Sequence, residues 1–544
     1  MTNEAAAIAY HNATKHHFNR YARSLGYLDW ATQPNPFRRY EGAQCIPLPL
    51  LKTDTTQPFE SLYGHGGVET RALDVEAVGL LFECSLALSA WKQFQGERWA
   101  LRCNPSSGNL HPTEGYLVSG PLPGLSESPA VYHYAPAEHA LELRTVFGSE
   151  TWQKLAQGFS EDVCFVGISS VHWREAWKYG ERAYRYCQHD VGHAVAAVRF
   201  AVAILGRRAV HLEGMSDAGV AALLGLDRDT DFEGAEREHP DLLMAVFPGD
   251  EAVPHTLPGE SIHTISQGVW HGRANRLSDD HVEWKAIEDA AQACAKPATE
   301  PSPWVAPALP ALDLRPSGAS AHGIIRQRRS AVAMDGETAI TAEAFYRMLS
   351  MTMPRQRCAP WDALVGAPRI HLGLFVHRVT GLQPGIYFLA RDAGAVTALR
   401  AAMKGDFVWQ APQGCPAGLP LHLLKACDCR AMATTVSCGQ DIAGDGAFSL
   451  GMIAEFEGSI ERLGAWYYRR LFWEAGAVGQ VLYLEAEAAG VRATGIGCYF
   501  DDPVHEVFGL VGQAYQSLYH FTVGGPVDDT RLMTLPPYPP ERSG

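Results

Sequence analysis

The sequence predicts an α+β protein built from two consecutive copies of one domain, each an antiparallel-type sheet flanked by helices. Three observations lead there. The chain has 544 residues, against roughly 100–200 for one domain, and its 47% hydrophobic and 19% charged content suits large buried cores and not disorder. Residues 183–206, AYRYCQHDVGHAVAAVRFAVAILG, align without a gap on residues 467–490, YYRRLFWEAGAVGQVLYLEAEAAG. Tyr184 and Arg185 match Tyr468 and Arg469, Asp190 matches Glu474, Gly192 matches Gly476, Gly206 matches Gly490 and Gly225 matches Gly509, always 284 residues apart. So long a period means duplication of a domain, not a solenoid. Between the copies, residues 296–320 are dense in Pro, Ala and Ser. Proline fixes φ and lacks a donor, so this stretch reads as an extended connector.

The elements follow in order. Residues 1–60 are an N-terminal extension that opens MTNEAAAIAYHNATKHHF, without the basic patch and apolar run of a secretory signal. Residues 61–295 are the first domain. Its apolar runs at 116–118, 131–134, 164–169 and 242–249 read as strands. Val191, Ala194, Val195, Val198, Ala201, Val202 and Leu205 fall at helical spacing with few polar interruptions, which predicts a helix buried on more than one face, stopped by Gly206. His193 and Arg199 interrupt it, so it does not read as a bilayer span. Residues 321–544 are the second domain, with matching strand candidates at 374–376, 386–388, 448–453 and 518–525.

Sixty acidic residues against 45 basic ones give a formal charge of −15. That field opposes nucleic acid and anionic membrane surfaces as main partners, while leaving room for a local basic pocket. The 12 cysteines are scattered, the pattern of reduced thiols, and the cytoplasm is the expected location. Cys427 and Cys429 form a lone C-x-C and are read as structural. His189 and His193 stand i, i+4 on the long helix; without a third ligand they too are read as structural, and no metal is expected.

Two segments carry chemistry. Arg326, Gln327, Arg328, Arg329 and Ser330 read as the entry to a helix, where guanidiniums, a hydroxyl and helical N–H groups would cradle a phosphate; a solvated basic helix start is the alternative. Arg102-Cys103-Asn104-Pro105-Ser106-Ser107-Gly108-Asn109-Leu110-His111-Pro112 is bracketed by prolines and offers hydroxyls, an amide and a glycine in one turn. It suits the edge of a planar heterocycle, or is simply a turn.

Together the Arg-Arg-Ser start, the Pro-Ser-Ser-Gly-Asn loop and the late Gly495-Ile496-Gly497 resemble the FMN-dependent nitroreductase superfamily. Trp177-Lys178-Tyr179-Gly180, Arg185-Tyr186, Asp190 with Gly192-His193, and the N-terminal DWATQPNPFRRY at 29–40 bring the likeness closer to its SagB-type branch, the dehydrogenases of azole-containing peptides. Superfamily members are typically homodimers with FMN at the subunit interface, so the resemblance implies an intrachain pseudo-dimer. It implies cofactor binding by Arg328, Ser330, Gly495, Gly497 and Arg531 of the second half and by Ser106, Ser107 and Asn109 of the first. The complementary positions are degenerate: Ser61-Leu62-Tyr63 replaces the Arg-Arg-Ser start, Asp250 and Glu251 follow the last strand, and residues 357–364 lack the serines and asparagine. One FMN per chain is expected, although Leu212-Glu213-Gly214 keeps a second, weaker site open. The likeness also implies Lys178 and Tyr179 as the catalytic pair, Lys178 taking a ring proton while hydride leaves to the flavin. Arg462 and Leu463, at the matching positions of the second half, cannot do this near neutral pH.

The expected function is FMN-dependent oxidation of an azoline-type heterocycle, thiazoline or oxazoline, on a peptide or small-molecule natural-product precursor, with partner biosynthetic enzymes and further oligomerisation left open. Two alternatives stand beside it: an NAD(P)H-dependent nitro or quinone reductase, which needs no Lys178-Tyr179 pair, and a non-catalytic scaffold of a biosynthetic complex.

Overall fold

The computed structural model describes residues 1–64, 68–302, 304–312, 317–364 and 366–539. Residues 303 and 313–316 of the connector lie outside the described residues.

In the first half the strands are β1 (Gln44–Pro47), β2 (Leu88–Phe94), β3 (Glu97–Arg102), β4 (Thr113–Ser119), β5 (Ala130–Ala135), β6 (Ala140–Val146), β7 (Cys164–Ser170), β8 (Arg208–His211) and β9 (His239–Phe247). In the second they are β10 (Ile370–Val376), β11 (Gly385–Leu389), β12 (Leu421–Ala426), β13 (Phe448–Glu455), β14 (Arg492–Ile496), β15 (Tyr515–Gly524) and β16 (Met533–Leu535). The main sheets run β6-β5-β4-β7-β9-β8 and β12-β11-β10-β13-β15-β14, one order used twice. Every neighbour pair is antiparallel. The first sheet gains an edge strand, because β1, from within the N-terminal 60 residues, pairs with β6.

Side chains alternate across both sheets, as pleated strands require. Leu117, Val166 and Met244 face a core shared by the two halves, while Tyr116, Phe165 and Ala245 face a core private to the first. In the second half Leu374, Leu450 and Met452 enter the shared core and Phe375 and Ile453 a private one. Both faces are therefore covered.

The helices used below are α1 (Asn3–Ala13), α2 (His172–Tyr179), α3 (Ala183–Ile204), α4 (Ala321–Gln327) and α5 (Tyr467–Ala488). The two long ones, α3 and α5, are repeat equivalents and cross in the shared core. Every residue of α3 is buried. The crossing point is the matched glycine pair: a Cβ on Gly192 would stand 2.2 Å from the Trp473 carbonyl oxygen, and one on Gly476 2.2 Å from that of His189. Only glycine permits such an approach. Gly225 and Gly509 end the equivalent helices Asp217–Leu224 and Asp501–Phe508 in the left-handed region, at φ +72° and +78°.

Each half also reaches onto the other. β16, at the C-terminus, pairs with β2 of the first half. In return the segment after α1 lies on the second half. The Asp501 carboxylate there accepts from the His16 backbone N–H at 2.8 Å, from Arg182 at 3.0 Å and from Arg185 at 2.8 Å. Burial works to raise the Asp501 pKa, and the two guanidiniums overcome it and hold the group below the usual carboxylate range. Among the described residues, no helix is long and apolar enough to cross a membrane.

Candidate functional site

A cavity of about 770 Å³ opens between the halves. The first half contributes Lys92 and Trp99 from the β2–β3 hairpin, the loop from Asn104 to His111, and Tyr179, Tyr186 and His193 from α2 and α3. From the second half come Arg328, Arg329 and Ser330 after α4, Tyr483 from α5, Gly495 from the end of β14, Gly497 and Cys498 just after it, Tyr519 from β15, and residues 527–530.

The segment from Arg326 to Ser330 departs from the expected helix entry. Ser320 caps α4 by accepting from the Gly323 N–H, and α4 ends at Gln327 with Arg328 already extended. The segment is an exit, so helical N–H groups are not part of the cradle. Cationic side chains and a hydroxyl are what remain. Arg328 is buried; it donates to the Arg102 carbonyl at 3.0 Å and lies 5.0 Å from the Tyr483 ring, with its Nε unpaired. Arg329 donates to the Ser89 carbonyl and hydroxyl at 3.2 Å each, and burial, then Arg328, push its pKa down to about 10. Tyr483 ties the two second-half pieces together: its hydroxyl bonds Ser330 Oγ at 2.9 Å and accepts from the Gly495 N–H at 2.9 Å.

The late glycines are required by the chain's own aromatics. A Cβ on Gly495 would stand 2.0 Å from the Tyr519 hydroxyl, and one on Gly497 2.5 Å from the Tyr186 ring. Tyr186 then donates to the Gly497 carbonyl at 3.0 Å.

The Pro-Ser-Ser-Gly-Asn loop is strained into place. Gly108, Asn109 and His111 all have positive φ, +58°, +61° and +52°. Its polar side chains shape the loop more than they face outward. Ser106 Oγ accepts from the His111 N–H at 2.8 Å, and Asn109 Nδ2 donates to the Ala100 carbonyl at 2.8 Å. The Ser107 N–H and hydroxyl donate to Asp190 at 3.0 and 3.1 Å. Burial raises the Asp190 pKa to about 7. Under the loop lies a second carboxyl, Glu175, with both oxygens buried; burial, then Asp190, push it well above the usual range.

Tyr179 lines the cavity, but Lys178 stands just behind its wall. An added Cβ on Gly108 would come within 2.5 Å of the Tyr179 hydroxyl and 3.2 Å of Lys178 Nζ, so the pair touches the loop where glycine leaves room. Burial, then Glu175, raise the Tyr179 pKa well above its usual value. The N-terminal segment packs over this end of α2: Glu181 N–H donates to the Arg23 carbonyl at 2.9 Å and Trp177 Nε1 to the Asp29 carbonyl at 3.2 Å. Arg531 is not brought into the wall. Its side chain is 73% exposed and paired with Asp529 at 2.7 Å.

His189 and His193 turn to β15. His189 Nε2 donates to the Leu518 carbonyl at 3.0 Å, and its ring stacks on Tyr519 at 4.1 Å, while His193 meets the Tyr519 hydroxyl at 3.3 Å.

The pseudo-equivalent location is filled. Arg199, which the repeat aligns with Tyr483, makes a two-pronged ion pair with Asp362 at 2.8 and 2.9 Å. The connector covers the Leu212-Glu213-Gly214 turn, Thr299 donating to the Gly214 and Glu213 carbonyls at 3.3 and 2.8 Å. Beside Trp304, Trp361 and Glu474 a void of about 20 Å³ remains.

Sequence reading missed Asp190 as an individual group, although it sits in a quoted motif. Glu175, Tyr483 and Tyr519 were also missed; Glu175, aligned with Ser459, and Tyr483, aligned with Arg199, had a signal as positions where the two copies differ in kind.

No protein-family profile matches the chain. A protein of Methanocaldococcus jannaschii, described provisionally as a nitroreductase, is 26% identical over 149 residues, 26% of this chain and 68% of that protein. A crystal structure of a protein of Anabaena variabilis, given the same provisional description, aligns over 96% of this chain and 99% of its own with TM-score 0.64 and 22% identity. One chain of the E. coli microcin synthetase McbBCD complex aligns over 46% of this chain and 94% of its own with 16% identity, at a TM-score of 0.28 that adds nothing to the fold assignment. The full-length likeness and the twice-used sheet order agree: the chain has the nitroreductase-like fold, in two consecutive copies.

Proposed function

We propose that the chain is an FMN-dependent oxidoreductase that dehydrogenates an azoline-type ring, thiazoline or oxazoline, in a peptide or small-molecule natural-product precursor. What supports the reading is the cavity shared by the two halves, cationic at the Arg328 end and walled by the Ser106–Asn109 loop and Tyr179 at the other. Its volume lies within the ~300–1,000 Å³ of small-molecule sites.

The residues present fit such a cofactor. Arg328 Nε, Arg102 Nε, Asn104 Oδ1 and His111 Nδ1 all belong to wall residues and are buried without a partner. Unpaired buried polar atoms are costly, and a polar ligand satisfies them. Arg328, Arg329 and Ser330 would hold the phosphate, where planar guanidiniums suit a dianion. The strained backbone from Ser107 to Asn109 would meet the ring. Once bound, FMN supplies the two-electron acceptor for hydride.

The chain supplies position and proton handling. Tyr179 stays protonated and donates a hydrogen bond to the substrate heteroatom. Lys178, at the same glycine, takes the ring proton. The N-terminal segment over α2 shields that end from water.

The test is to incubate the FMN-loaded chain with thiazoline- and oxazoline-bearing peptides and weigh the products. A product lighter by two hydrogens, lost in Lys178→Ala while flavin is retained, is expected. Arg328→Ala is expected to weaken FMN binding at least about tenfold, the loss of one charged hydrogen-bonding partner. NAD(P)H-driven reduction of nitroaromatics or quinones at a rate indifferent to Lys178→Ala would overturn the azoline reading in favour of a reductase. A chain that takes up no flavin from added FMN would leave only the scaffold.

A further inference from the structure

Cys498 directly follows Gly497 and lines the cavity. Its sulfur lies 2.8 Å from that of Cys438, 60 residues earlier in sequence, and 3.6 Å from Nδ1 of His16. Neither cysteine is fully buried, whereas Cys84, Cys103, Cys164, Cys187, Cys294, Cys358 and Cys429 are. Two further bonds hold the segments together around the sulfurs. The Phe500 N–H donates to the Val436 carbonyl at 2.8 Å, and Gln440 Nε2 donates to the Cys498 carbonyl at 2.8 Å. Cys438 itself has φ +57°, a left-handed conformation that a non-glycine residue adopts only under constraint.

We propose that Cys438 and Cys498 are a reversible thiol–disulfide couple in the cavity wall, with Cys498 the thiol that meets the oxidant, a hydroperoxide. The sulfur spacing decides between this and a metal site with His16. Two thiolates on one tetrahedral zinc, each at about 2.3 Å, stand roughly 3.7 Å apart, and 2.8 Å is too close for that. Access decides which thiol reacts first, because Cys498 faces the cavity. The hydrogen bond shared with Cys438, then that with His16, outweigh burial and bring the Cys498 pKa down, so the thiolate is favoured there.

The chemistry balances. The Cys498 thiolate attacks one oxygen of the hydroperoxide, the O–O bond breaks, and an alcohol (or water, from hydrogen peroxide) leaves, giving a sulfenic acid on Cys498. The Cys438 sulfur attacks the Cys498 sulfur, an S–S bond forms, the S–O bond breaks and water leaves. Two thiols are oxidised and one hydroperoxide is reduced. The product pins the turn carrying Gly495 and Gly497 to residues 437–440, so the oxidation state of the pair is felt in the cavity wall. Reoxidation of the bound cofactor by oxygen would release hydrogen peroxide into this cavity; that source rests on the function proposed above, and the reactivity of the pair does not.

The experiment uses the full chain, with and without added FMN. It is treated with hydrogen peroxide, alkylated under denaturing conditions, digested and weighed. The expected result is a peptide pair joined through Cys438 and Cys498, loss of two of the 12 alkylatable thiols, and recovery with dithiothreitol. In Cys438→Ser, dimedone should label Cys498 at least about tenfold above any other cysteine, as expected for the most thiolate-like site, open to the cavity. The proposal is overturned if both residues remain fully alkylated after peroxide in a chain of unchanged circular dichroism. It is overturned equally if Cys498→Ser is labelled on Cys438 while Cys438→Ser is not labelled on Cys498. Stoichiometric zinc in the purified chain, lost in Cys438→Ser, would replace it with a metal site. Disulfide formation in chain that binds no flavin would sink the proposed function and leave the couple standing.

Discussion

Asp190 is a carboxyl placed where charge is costly: buried, with Glu175 as a neighbour, so that the hydrogen bonds from Ser106 and Ser107 do not offset the burial. Its folded pKa of about 7 lies above the 3.8 of a free aspartate. The folded state therefore holds a proton that the unfolded state has lost between those values, and stability falls as pH rises through that window. At about 1.4 kcal/mol per pH unit the full penalty is about 4 kcal/mol, reached above pH 7. Asp190→Asn keeps an acceptor for Ser107 and removes the charge. Its melting temperature should exceed that of the wild type at pH 8 and converge towards it as pH is lowered to 5. A gap that stays constant across that range would mean Asp190 titrates normally. This residue also shows what a sequence can carry at this scale. The Arg-Arg-Ser and Pro-Ser-Ser-Gly-Asn segments are contiguous and could be read directly. The burial that changes Asp190 from a helix residue into a titrating group is a tertiary fact, and so is the distance between Cys438 and Cys498. Arg531 shows the same limit: its position after the strand at 518–525 was legible, while its pairing with Asp529 and the further strand β16 beyond it were not.

Elements were the most legible scale, because the duplication gives every one a second reading. Helix and strand expectations at 183–206 and 467–490, 164–169 and 448–453 are matched by α3 and α5 and by β7 and β13. The failure was at the Arg326–Ser330 segment, where basic residues were read as a start when Ser320 had already capped α4. Hydrophobic periodicity is short there, and charge alone does not tell one helix end from the other. The alignment of Gly192 with Gly476, by contrast, has a physical meaning visible only at the crossing of α3 and α5. Gly192→Ala should destabilise the chain by about 3 kcal/mol, the upper part of the overpacking range, since the new methyl meets backbone and not a movable side chain. Gly405→Ala, where an added Cβ has nothing within 4 Å, should cost far less. Urea unfolding of the two variants reads the difference, and equal midpoints would mean the long helices can slide apart without loss.

At the scale of the whole molecule, duplication followed by divergence has left one shared cavity and one filled location. A symmetric pair of domains would offer two equivalent clefts at the α3–α5 interface. Here one has a volume of about 770 Å³ and the other about 20 Å³. Three separate features close the second. Arg199 and Asp362 neutralise each other where the open cleft has Tyr483. The connector lies on Glu213 and Gly214. Trp304 and Trp361 take the remaining space. Since these closures involve different parts of the chain, reversing one does not reopen the cleft. We therefore expect released flavin to approach one equivalent per 59.3 kDa chain after saturation with FMN, and Asp362→Ser not to raise it. Because the two walls of the open cavity come from different halves, Arg328→Ala alone should lower the flavin held at sub-saturating FMN, in line with the weaker binding expected above. A value near two in the wild type after saturation would place flavin in the connector-covered site. Glu213 and Gly214 would then mark a second working centre, and the connector would have to leave the turn for flavin to enter.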